Sequence, residues 1–320
     1  MPDLYPDFSN LLTICIPTFN RSELLEEALK DIIPKIKGIC LPLIVVDNCS
    51  TDTTKEIVYR YMSQYSLLSY FCQEENKGFD INFETALKLS QTEYTWVLGD
   101  GDRVNETHLA SILDFLSSEK PDLYCVNHDR RVANLASQRY YSAEKFLTEV
   151  GWHLTLLSAT IYSRSVINKA NFQLYRNTNF IHFGIIFDTF ANSESFCAYW
   201  DAEQVIYGTT LKKQNSWNPY RIIEIFGKAW ADVVFSLPNS LPTKAKLYCI
   251  RIHGEKGKLF TVRKLLRQRA VGSFSYSIYK KYEKYFPLIA PNSKLKFLIF
   301  SIWPNIFNKY YWRYKRTGVV

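Results

Sequence analysis

The stretch "WVLGDGDRV" (residues 96–104) places two aspartates, Asp100 and Asp102, directly after an apolar run, with only Gly101 between them. Two carboxylates this close repel each other, so the pair is costly unless a cation lies beside it. Carboxylate oxygens suit Mg²⁺ and Mn²⁺, which are typically held by one or two carboxylates together with phosphates of a substrate. We expect Gly101 to let the chain turn sharply and to keep side-chain bulk away from a ligand. The stretch therefore predicts a buried strand that ends in a metal site.

Around this stretch, apolar strand patterns alternate with amphipathic helical patterns over the first 130 residues. The strand patterns cover 11–17, 41–47, 67–73, 94–99 and 122–127, and the helical patterns cover 21–33, 51–64, 81–90 and 105–118. Single helices between strands predict right-handed crossovers and a mostly parallel sheet. The apolar runs do not alternate with polar residues, which is typical of strands that helices cover on both faces. The fold class is therefore α/β, with a Rossmann-like, mostly parallel sheet flanked by helices.

Polar, turn-forming residues follow each of the first four strands. They are "PTFNR" (17–21), "DNCSTD" (47–52), "ENKGFD" (75–80) and "GDGD" (99–102). One such turn is usually no more than a turn or a helix cap. In an open parallel sheet, however, ligands bind at the carboxyl ends of the strands. Four polar turns on one edge therefore predict a binding site there.

The pattern is less regular beyond residue 130. It predicts a strand at 154–163, a helix at 180–193 and two short strands at 196–200 and 203–208, followed by an almost entirely helical remainder. We predict a catalytic domain at 1–215 and a helical C-terminal region at 216–320.

Charge divides the chain in a similar way. Residues 244–320 contain 18 Lys and Arg against Glu255 and Glu283, a net +16; since the whole chain carries +8, residues 1–243 carry −8. An acidic body with a strongly basic tail indicates two functions in one chain.

The composition excludes several classes of protein. The chain has 320 residues, 47% of them hydrophobic, which is enough for a sizeable core. The N-terminus lacks the pattern of a signal peptide, and no run of about 20 apolar residues is present to span a bilayer. Seven cysteines without a CxxC pair are typical of reduced thiols. These features predict a cytoplasmic protein.

Three segments resemble a known family. "LTICIPTFNRSELLEEAL" (12–29), "LIVVDNCSTDTT" (43–54) and "ENKGFDINFETALKLSQTEYTWVLGDGD" (75–102) are similar to bacterial family 2 glycosyltransferases of the GT-A fold. Within that family they are most similar to the abequosyltransferase-like enzymes of lipopolysaccharide and capsule assembly. The resemblance covers about residues 11–130, is faint from 150 to 220 and is absent from the tail.

The resemblance implies a nucleotide-sugar donor and a Mn²⁺ or Mg²⁺ cofactor. It implies that Asp102 is the main metal ligand, and that Asp100, with Gly101 beside it, faces the ribose or donor sugar and the metal. Asp47 would read the base. The other residues implied at the nucleotide and its diphosphate are Pro17, Thr18, Asn20, Arg21, Asn76, Lys77 and Gly78.

The sequence departs from the family where the catalytic base is expected. An inverting enzyme needs a base for the acceptor hydroxyl, and family members usually supply an acidic residue at the start of a helix. The corresponding stretch here, "TNFIHFGIIFDTF" (178–190), offers His182 near the expected place and Asp188 two turns later. Both remain candidates, with packing as the alternative for His182. Lys212, Lys213 and Gln214 lie where relatives bring a loop, often with a histidine, over the diphosphate.

The function expected from these features is metal-dependent, inverting transfer of a sugar to a hydroxyl of a lipid-linked saccharide. A non-catalytic nucleotide-sugar binder is the main alternative, because the acidic base is missing. A sugar nucleotidyltransferase is less favoured because "PTFNRS" lacks a phosphate-binding glycine, and the acidic body argues against a nucleic-acid binder.

The tail suggests a second partner, an anionic membrane surface contacted through residues 244–320. Tyr279, Tyr282 and Phe286 fall on one helical face beside lysines, "LKFLIFSIWPNIF" (295–307) forms an apolar wedge, and "NKYYWRYKR" (308–316) adds basic aromatics. Basic residues attract anionic headgroups, while Tyr and Trp favour the interface. We therefore expect a protein that lies peripherally on the cytoplasmic face of the bacterial inner membrane.

Overall fold

The computed structural model describes residues 8–209, 221–290 and 294–304. The chain divides into two compact units, Met1–Lys213 and Gln214–Val320. The boundary predicted at 215/216 lies outside the described residues and stays a prediction.

The first unit is built on one mixed sheet of nine strands, which confirms the predicted fold class. The strands are β1 (Leu12–Thr18), β2 (Leu43–Asp47), β3 (Leu68–Cys72), β4 (Tyr94–Val97), β5 (Asp102–Val104), β6 (Leu123–His128), β7 (Gln138–Tyr140), β8 (Thr160–Ser163) and β9 (Ala198–Gly208).

The strand order is β3-β2-β1-β4-β8-β6-β9-β5, and β7 also pairs with β9. The pairs β1–β2, β2–β3, β1–β4 and β6–β9 are parallel, whereas β8, β5 and β7 join their neighbours antiparallel. Thr18 is in register with Asp47, and Asp47 with Cys72. The carboxyl ends of the first three strands therefore lie side by side.

Eight α-helices are present among the described residues of this unit. They are α1 (Ser22–Lys37), α2 (Thr54–Met62), α3 (Phe79–Leu89), α4 (Glu106–Glu119), α5 (Ala143–Phe146), α6 (Arg164–Lys169), α7 (Phe172–Tyr175) and α8 (Ile181–Ala191). In α1 the apolar residues at helical spacing are buried, among them Leu25, Leu29 and Ile32. Burying such a side chain fully contributes about 1.5–3 kcal/mol, so the pattern that predicts the helix also explains how it is held.

Two predictions beyond residue 130 are wrong in detail. Of the strand predicted at 154–163, only Thr160–Ser163 is extended, while His153–Thr155 and Leu157–Ala159 form 3₁₀ turns. The two short strands predicted at 196–208 are one continuous strand, β9, whose pairing with β6 shifts register after Val126. A register shift lets one strand serve two pairings, and periodicity alone does not reveal it.

The second unit is helical in its described part. Residues Glu224–Ala229 form a π-helical segment that continues into α9 (Trp230–Ser236). The remaining helices are α10 (Thr243–Lys256), α11 (Val262–Ala270), α12 (Tyr276–Tyr282), α13 (Phe286–Ile289) and α14 (Lys294–Ile302).

The aromatic face predicted to meet a membrane is instead buried inside this unit. Tyr279, Tyr282 and Phe286 are all buried. The Phe286 ring stacks on Tyr279 with centroids 5.3 Å apart and on Phe297 at 4.2 Å. Aromatic rings carry large apolar areas, so the helices bury them against one another. This part of the membrane prediction is wrong.

Other apolar side chains of the second unit are exposed. On α14 and just after it, Leu295 is 68% exposed, Ile299 40%, Ile302 58% and Trp303 41%. The spacing of these four residues, here called the apolar ridge, puts them on one helix face. Within the described ranges, no helix is long and apolar enough to cross a membrane. The segment "NKYYWRYKR" lies outside the described residues.

Candidate functional site

The loops that follow the first four strands meet at one edge of the sheet and are joined by hydrogen bonds. Asn20 Oδ1 accepts from Thr51 N at 2.7 Å, which joins the first loop to the second. Asn48 Nδ2 donates to Asn76 Oδ1 at 2.8 Å, which joins the second to the third. Thr18 Oγ1 donates to the Asp100 carboxylate, which joins the first to the fourth. The four polar turns thus form one continuous surface.

Asp100 is buried and held by the first strand end. Its Oδ2 accepts from Thr18 Oγ1 at 3.1 Å, and its Oδ1 lies 2.5 Å from Arg21 Nη1. Burial raises the pKa of Asp100, while Arg21 and Thr18 lower it and Asp102 raises it, leaving the pKa at about 6. Arg21 thus supplies, from within the protein, part of the positive charge that the sequence predicts beside the aspartate pair.

Asp102 is held by residues that the sequence analysis did not place at the site. Ser158 Oγ donates to Asp102 Oδ2 at 2.7 Å and accepts from Gly99 N at 2.8 Å. His128 Nε2 lies 3.1 Å from Asp102 Oδ1. Ser158 belongs to the segment expected to be a strand, so its side-chain direction was not available from the pattern.

His128 is the last residue of β6, so the rule applied to the first four strands, extended to the fifth, would have found it. Its side chain is 5% exposed, and its Nδ1 lies 3.1 Å from Asp129 Oδ2 at ion-pair distance. Burial alone lowers the pKa of His128, but Asp102 and Asp129 outweigh it and leave the pKa above its ordinary value. The imidazole is therefore placed between two carboxylates.

The turn between the two aspartates is held by an arginine side chain that bonds its backbone carbonyls. The buried Arg103 donates from Nη1 to the carbonyl oxygens of Asp100 at 3.0 Å and Asp102 at 2.8 Å, and from Nη2 to Glu27 at 2.7 Å. The chain turns at Gly101, and Asp102 N donates to Gly99 O at 2.9 Å. The φ of Gly101 is not positive, and a Cβ there would meet Arg21 Nη2 at an ordinary 3.7 Å, so the turn itself does not require glycine. That Gly101 keeps side-chain bulk away from a ligand stays a prediction.

Asp47 is buried, with a relative exposure of 1%, and its contacts hold the second loop. Its Oδ1 accepts from Ser50 N at 2.9 Å and from Ser50 Oγ at 2.6 Å, and its Oδ2 accepts from Tyr70 Oη at 2.6 Å. These bonds shape the "DNCSTD" loop. A direct contact between Asp47 and a base stays a prediction.

The third loop is open to solvent. Asn76, Lys77 and Gly78 are all exposed, as Asn20 is in the first loop, whereas Pro17 is half-buried. Gly78 has φ 82°, in the region that favours glycine, and it is the N-cap of α3. The loop therefore needs glycine at 78 for its backbone, and Asn76 Oδ1 accepts from Asn48 Nδ2 and Gly78 N while Lys77 is open to solvent.

His182 lies in the first turn of α8, where the sequence places it, but inside an aromatic cluster. Its ring is 3% exposed, and its centroid lies 5.8 Å from Phe79, 5.8 Å from Phe83 and 6.2 Å from Phe180. Its Nε2 is 3.3 Å from Thr155 O. Burial lowers the pKa of His182 to about 4, so the ring is neutral at physiological pH. Phe79, which covers it, is exposed and follows the third loop.

Asp188 lies further along α8. Its Oδ1 accepts from Asn192 Nδ2 at 3.3 Å, and burial raises its pKa even though Tyr175 and Asn192 lower it. Asp80, which the sequence analysis did not single out, fixes the start of this helix. It is buried in the first turn of α3 and accepts from Asn179 N at 2.9 Å and Ile181 N at 3.4 Å. Lys212, Lys213 and Gln214 lie outside the described residues.

The donor set at Asp102 fits a divalent cation that arrives with phosphate. In the parts of the chain that are described, no group of three or more His, Cys, Asp or Glu side chains is arranged to hold a metal ion. The Asp102 side chain is nevertheless 19% exposed, and an imidazole nitrogen lies beside it. Mg²⁺ and Mn²⁺ commonly bind through one or two protein groups plus substrate phosphates. Among the described residues, Asp102 and the imidazole beside it match an open site of this kind, and they do not form a closed cage of protein ligands.

Comparisons with known proteins show which sequences and structures this chain is similar to. The profile described as glycosyl transferase family 2 matches residues 13–192. The abequosyltransferase RfbV of Salmonella typhimurium is 31% identical over 131 residues, which is 40% of this chain and 39% of RfbV. The GalNAc(5)-diNAcBac-PP-undecaprenol beta-1,3-glucosyltransferase of Campylobacter jejuni is 32% identical over 32% of this chain and 33% of its own length. The match thus spans little more than a third of these relatives.

Solved structures share the fold. TarS residues 1–349 of Staphylococcus aureus, in complex with UDP-GlcNAc, superimposes with a TM-score of 0.58 at 15% identity, covering 95% of this chain and 92% of that one. The mannosyltransferase PcManGT of Pyrobaculum calidifontis, in complex with GDP-Man and Mn²⁺, gives a TM-score of 0.55 at 16% identity, covering 95% and 90%.

Proposed function

This chain belongs to glycosyl transferase family 2, and we propose that it transfers a sugar from a nucleoside-diphosphate donor to a hydroxyl of a lipid-linked saccharide. The abequosyltransferase relative favours a saccharide of lipopolysaccharide (O-antigen) or capsule assembly as the acceptor. The observation that carries the proposal is the joined rim of four loops, with Asp100 and Asp102 at the end of β4.

The donor is proposed to lie across this rim. Pro17, Thr18, Asn20 and Arg21 border the nucleotide from the first loop. The exposed Asn76 and Lys77 and the backbone of Gly78 approach the nucleotide and its diphosphate from the third. Asp47 supports the second loop through Ser50 in this structure, and we propose that this loop contacts the base. Asp100 and Gly101 face the ribose or the donor sugar.

The departing nucleoside diphosphate gathers negative charge as the bond to the sugar breaks through an oxocarbenium-like transition state. Mn²⁺ or Mg²⁺, held by Asp102 with the donor diphosphate and with Asp100 nearby, would offset this charge without a proton donor. Arg21 contributes a fixed positive charge at the same edge, where its guanidinium is held by its ion pair with Asp100. Ser158 keeps the Asp102 carboxylate in one orientation.

The acceptor hydroxyl must lose a proton during an inverting displacement. We propose His182 as the base, with Asp188 as the alternative. His182 is supported by its neutral state and by its position in the first turn of α8, where the family usually supplies its base. Burial lowers its pKa to about 4, which makes the ring of the ligand-free protein a weak base. Asp188 is supported by its raised pKa. Movement of Phe79 would be required to open His182 to an acceptor.

A lipid-linked acceptor places the enzyme at a membrane. We propose that the second unit binds an anionic membrane surface peripherally, on the cytoplasmic face of the inner membrane. The apolar ridge and the +16 charge of residues 244–320 support this proposal. The Campylobacter jejuni relative, whose name specifies an undecaprenol-linked saccharide, supports the lipid-linked acceptor.

A screen of purified protein with nucleotide sugars and Mn²⁺ tests the proposal. We expect one donor to raise the melting temperature and to release its nucleoside diphosphate, and a lipid-linked acceptor to increase this release. Asp102→Ala should abolish transfer and metal-dependent nucleotide binding while keeping the fold. Asp114→Ala, which changes an exposed aspartate of α4, is the control and should retain both.

The alternatives give different results in the same screen. A non-catalytic nucleotide-sugar binder would be stabilised by a donor and would neither hydrolyse nor transfer it. A sugar nucleotidyltransferase would instead form a nucleotide sugar from a nucleoside triphosphate and a sugar phosphate. Full activity of Asp102→Asn in the presence of EDTA would rule out the metal site.

A further inference from the structure

The geometry points to a second protein ligand for the divalent cation: we propose that His128 binds the ion through Nε2, side by side with Asp102. The proposal rests on the proposed function in assuming that a divalent cation binds at Asp102. It adds a nitrogen ligand from the end of β6, a strand outside the four whose ends were expected to form the site.

The distance between the two ligand atoms carries the proposal. His128 Nε2 and Asp102 Oδ1 are 3.1 Å apart. Neighbouring ligands of an octahedral ion with bonds of about 2.1 Å are separated by about 3.0 Å. The separation of the two atoms therefore matches that of adjacent ligands of one ion. Binding requires the imidazole ring to tilt so that its lone pair points at the ion rather than at Asp102, and the diphosphate and water can occupy the remaining positions.

Neighbouring side chains hold both His128 and Asp102 in place. Ligating histidines usually have a carboxylate or carbonyl oxygen next to the other ring nitrogen, which fixes the tautomer. Here Asp129 Oδ2 lies 3.1 Å from His128 Nδ1, so a proton on Nδ1 leaves Nε2 unprotonated and able to bind an ion beside Asp102. Ser158 holds the second oxygen of Asp102 at 2.7 Å.

A mixed oxygen and nitrogen ligand set has consequences for metal choice. Imidazole suits the later first-row transition metals, whereas Mg²⁺, Ca²⁺ and Mn²⁺ are usually held by oxygen ligands. We therefore expect this protein to bind Co²⁺ more tightly than Mg²⁺ in the presence of a nucleoside diphosphate. Replacing His128 by Gln should reduce the ratio of the affinity for Co²⁺ to the affinity for Mg²⁺, because Gln offers an amide in place of the imidazole.

The experiment is electron spin-echo spectroscopy of Mn²⁺ bound to the full chain with UDP, CDP, GDP or dTDP, whichever stabilises the protein most. A directly bound imidazole should give a ¹⁴N modulation that changes to a ¹⁵N pattern in protein labelled with ¹⁵N-histidine. His128→Ala and His128→Gln should lose the modulation and weaken Mn²⁺ binding by at least about 10-fold, the lower end of the loss seen when a group that only supports a ligand is removed. His108→Ala, in α4, is the control and should keep both.

Mn²⁺ bound without histidine modulation, modulation that persists in both His128 variants, or no Mn²⁺ binding by the wild-type protein would each overturn the proposal. Circular dichroism of the two variants separates loss of the ligand from loss of the fold. Sugar transfer without histidine modulation would leave the proposed function intact. Modulation without any turnover would leave His128 as a ligand and remove the proposed function.

Discussion

At the scale of single residues, Asp100 and Asp102 are each hydrogen-bonded by a different set of neighbours. Thr18 and Arg21 hold the first, while Ser158 and His128 hold the second. The repulsion expected between two adjacent carboxylates is therefore offset in part by the protein itself. The Asp102 side chain is 19% exposed and that of Asp100 only 3%, so Asp102 is the more accessible of the two to a ligand.

The identity of the catalytic base is a prediction at this scale. If His182 removes the acceptor proton, His182→Ala should lower turnover by about 10²–10⁴-fold while donor binding is kept, because general base catalysis contributes about this much. Steady-state kinetics and donor titration measure the two effects separately. Asp188→Asn is the matched variant on the same helix. A large loss in Asp188→Asn with little change in His182→Ala would transfer the role to Asp188.

The sequence identified the residues that follow β1 to β4 because motif and strand end coincide there. It did not identify His128 and Ser158, which reach Asp102 from 26 and 56 residues away. The position of His128 at the end of β6 could have been found by applying the strand-end rule once more, whereas Ser158 depends on how the 3₁₀ turns before β8 pack, which no local pattern encodes. Asp47 was recognised as a site residue, but the sequence pattern did not show that its carboxylate is buried and bonded to Ser50 and Tyr70.

At the scale of helices and strands, the packing of α8 against α7 provides a stability prediction. A Cβ added at Gly184 would lie 2.2 Å from Tyr175 Cδ1, and Tyr175 is fully buried. We expect Gly184→Ala to lower the free energy of unfolding by about 1–3 kcal/mol, since a packed core tolerates an extra methyl group poorly. Chemical denaturation measures the effect.

Gly227→Ala is the matched control because a Cβ there meets Ile223 and Ile289 at an ordinary 3.7 Å. Alanine is the better helix former, so this change should be neutral or stabilise by up to about 1 kcal/mol. Equal stability of the Gly184 variant and the wild-type protein would contradict the close contact with Tyr175.

Glu84 links α3 to Arg176 and provides a pH prediction. Its carboxylate receives two bonds of 2.7 Å from Arg176 and one of 2.6 Å from Lys88. Burial alone raises the pKa of Glu84, but these partners lower it below its ordinary value of 4.5. Because the pKa is lower in the folded protein than in the unfolded chain, the stabilisation is fully present above the unfolded pKa. It is lost as the pH falls through the folded pKa.

Glu84→Gln should therefore cost about 1 kcal/mol at pH 7, a modest value because Lys88 and Arg176 are exposed to solvent and salt. The difference in unfolding free energy between this variant and the wild-type protein should shrink as the pH falls below 4.5, as urea unfolding at each pH would reveal. A difference that grows on acidification would show that the ion pair is not its source.

The sequence predicted helices and strands best where one pattern continued without interruption, as the helical spacing does in α1 and the apolar run does in β2. It failed at 153–159, where "HLTLLSA" is as apolar as a strand but forms 3₁₀ turns that bury His153 and Ser158. It also failed at β9, because a strand that changes partners along its length has no single period. Burial against neighbouring elements, rather than local preference, decides such segments.

At the scale of the whole molecule, the second unit carries the membrane prediction. The apolar ridge offers exposed Leu and Ile side chains and a Trp, and each nearby Lys or Arg contributes about 1 kcal/mol of attraction to an anionic surface. We expect the protein to float with anionic vesicles at low salt and to be partly released at high salt. Leu295→Ser combined with Ile302→Ser should abolish most of this binding.

Phe235→Ser combined with Tyr248→Ser is the matched control, because these exposed side chains belong to α9 and α10 of the same unit and lie outside the ridge. This variant should float like the wild-type protein. Equal flotation of the ridge variant, or no flotation of the wild-type protein, would remove the membrane proposal and leave the glycosyltransferase proposal unaffected.

The separate anchoring of the two aspartates also bears on how such a chain can diverge. Asp100 depends on residues 18 and 21, and Asp102 on residues 128 and 158. Substitutions at residues 128 or 158 therefore alter the surroundings of Asp102, where the metal and the donor diphosphate are proposed to bind, and leave the contacts of Asp100 in place. A chain built this way can change its metal site in evolution without disturbing the aspartate proposed to border the donor sugar.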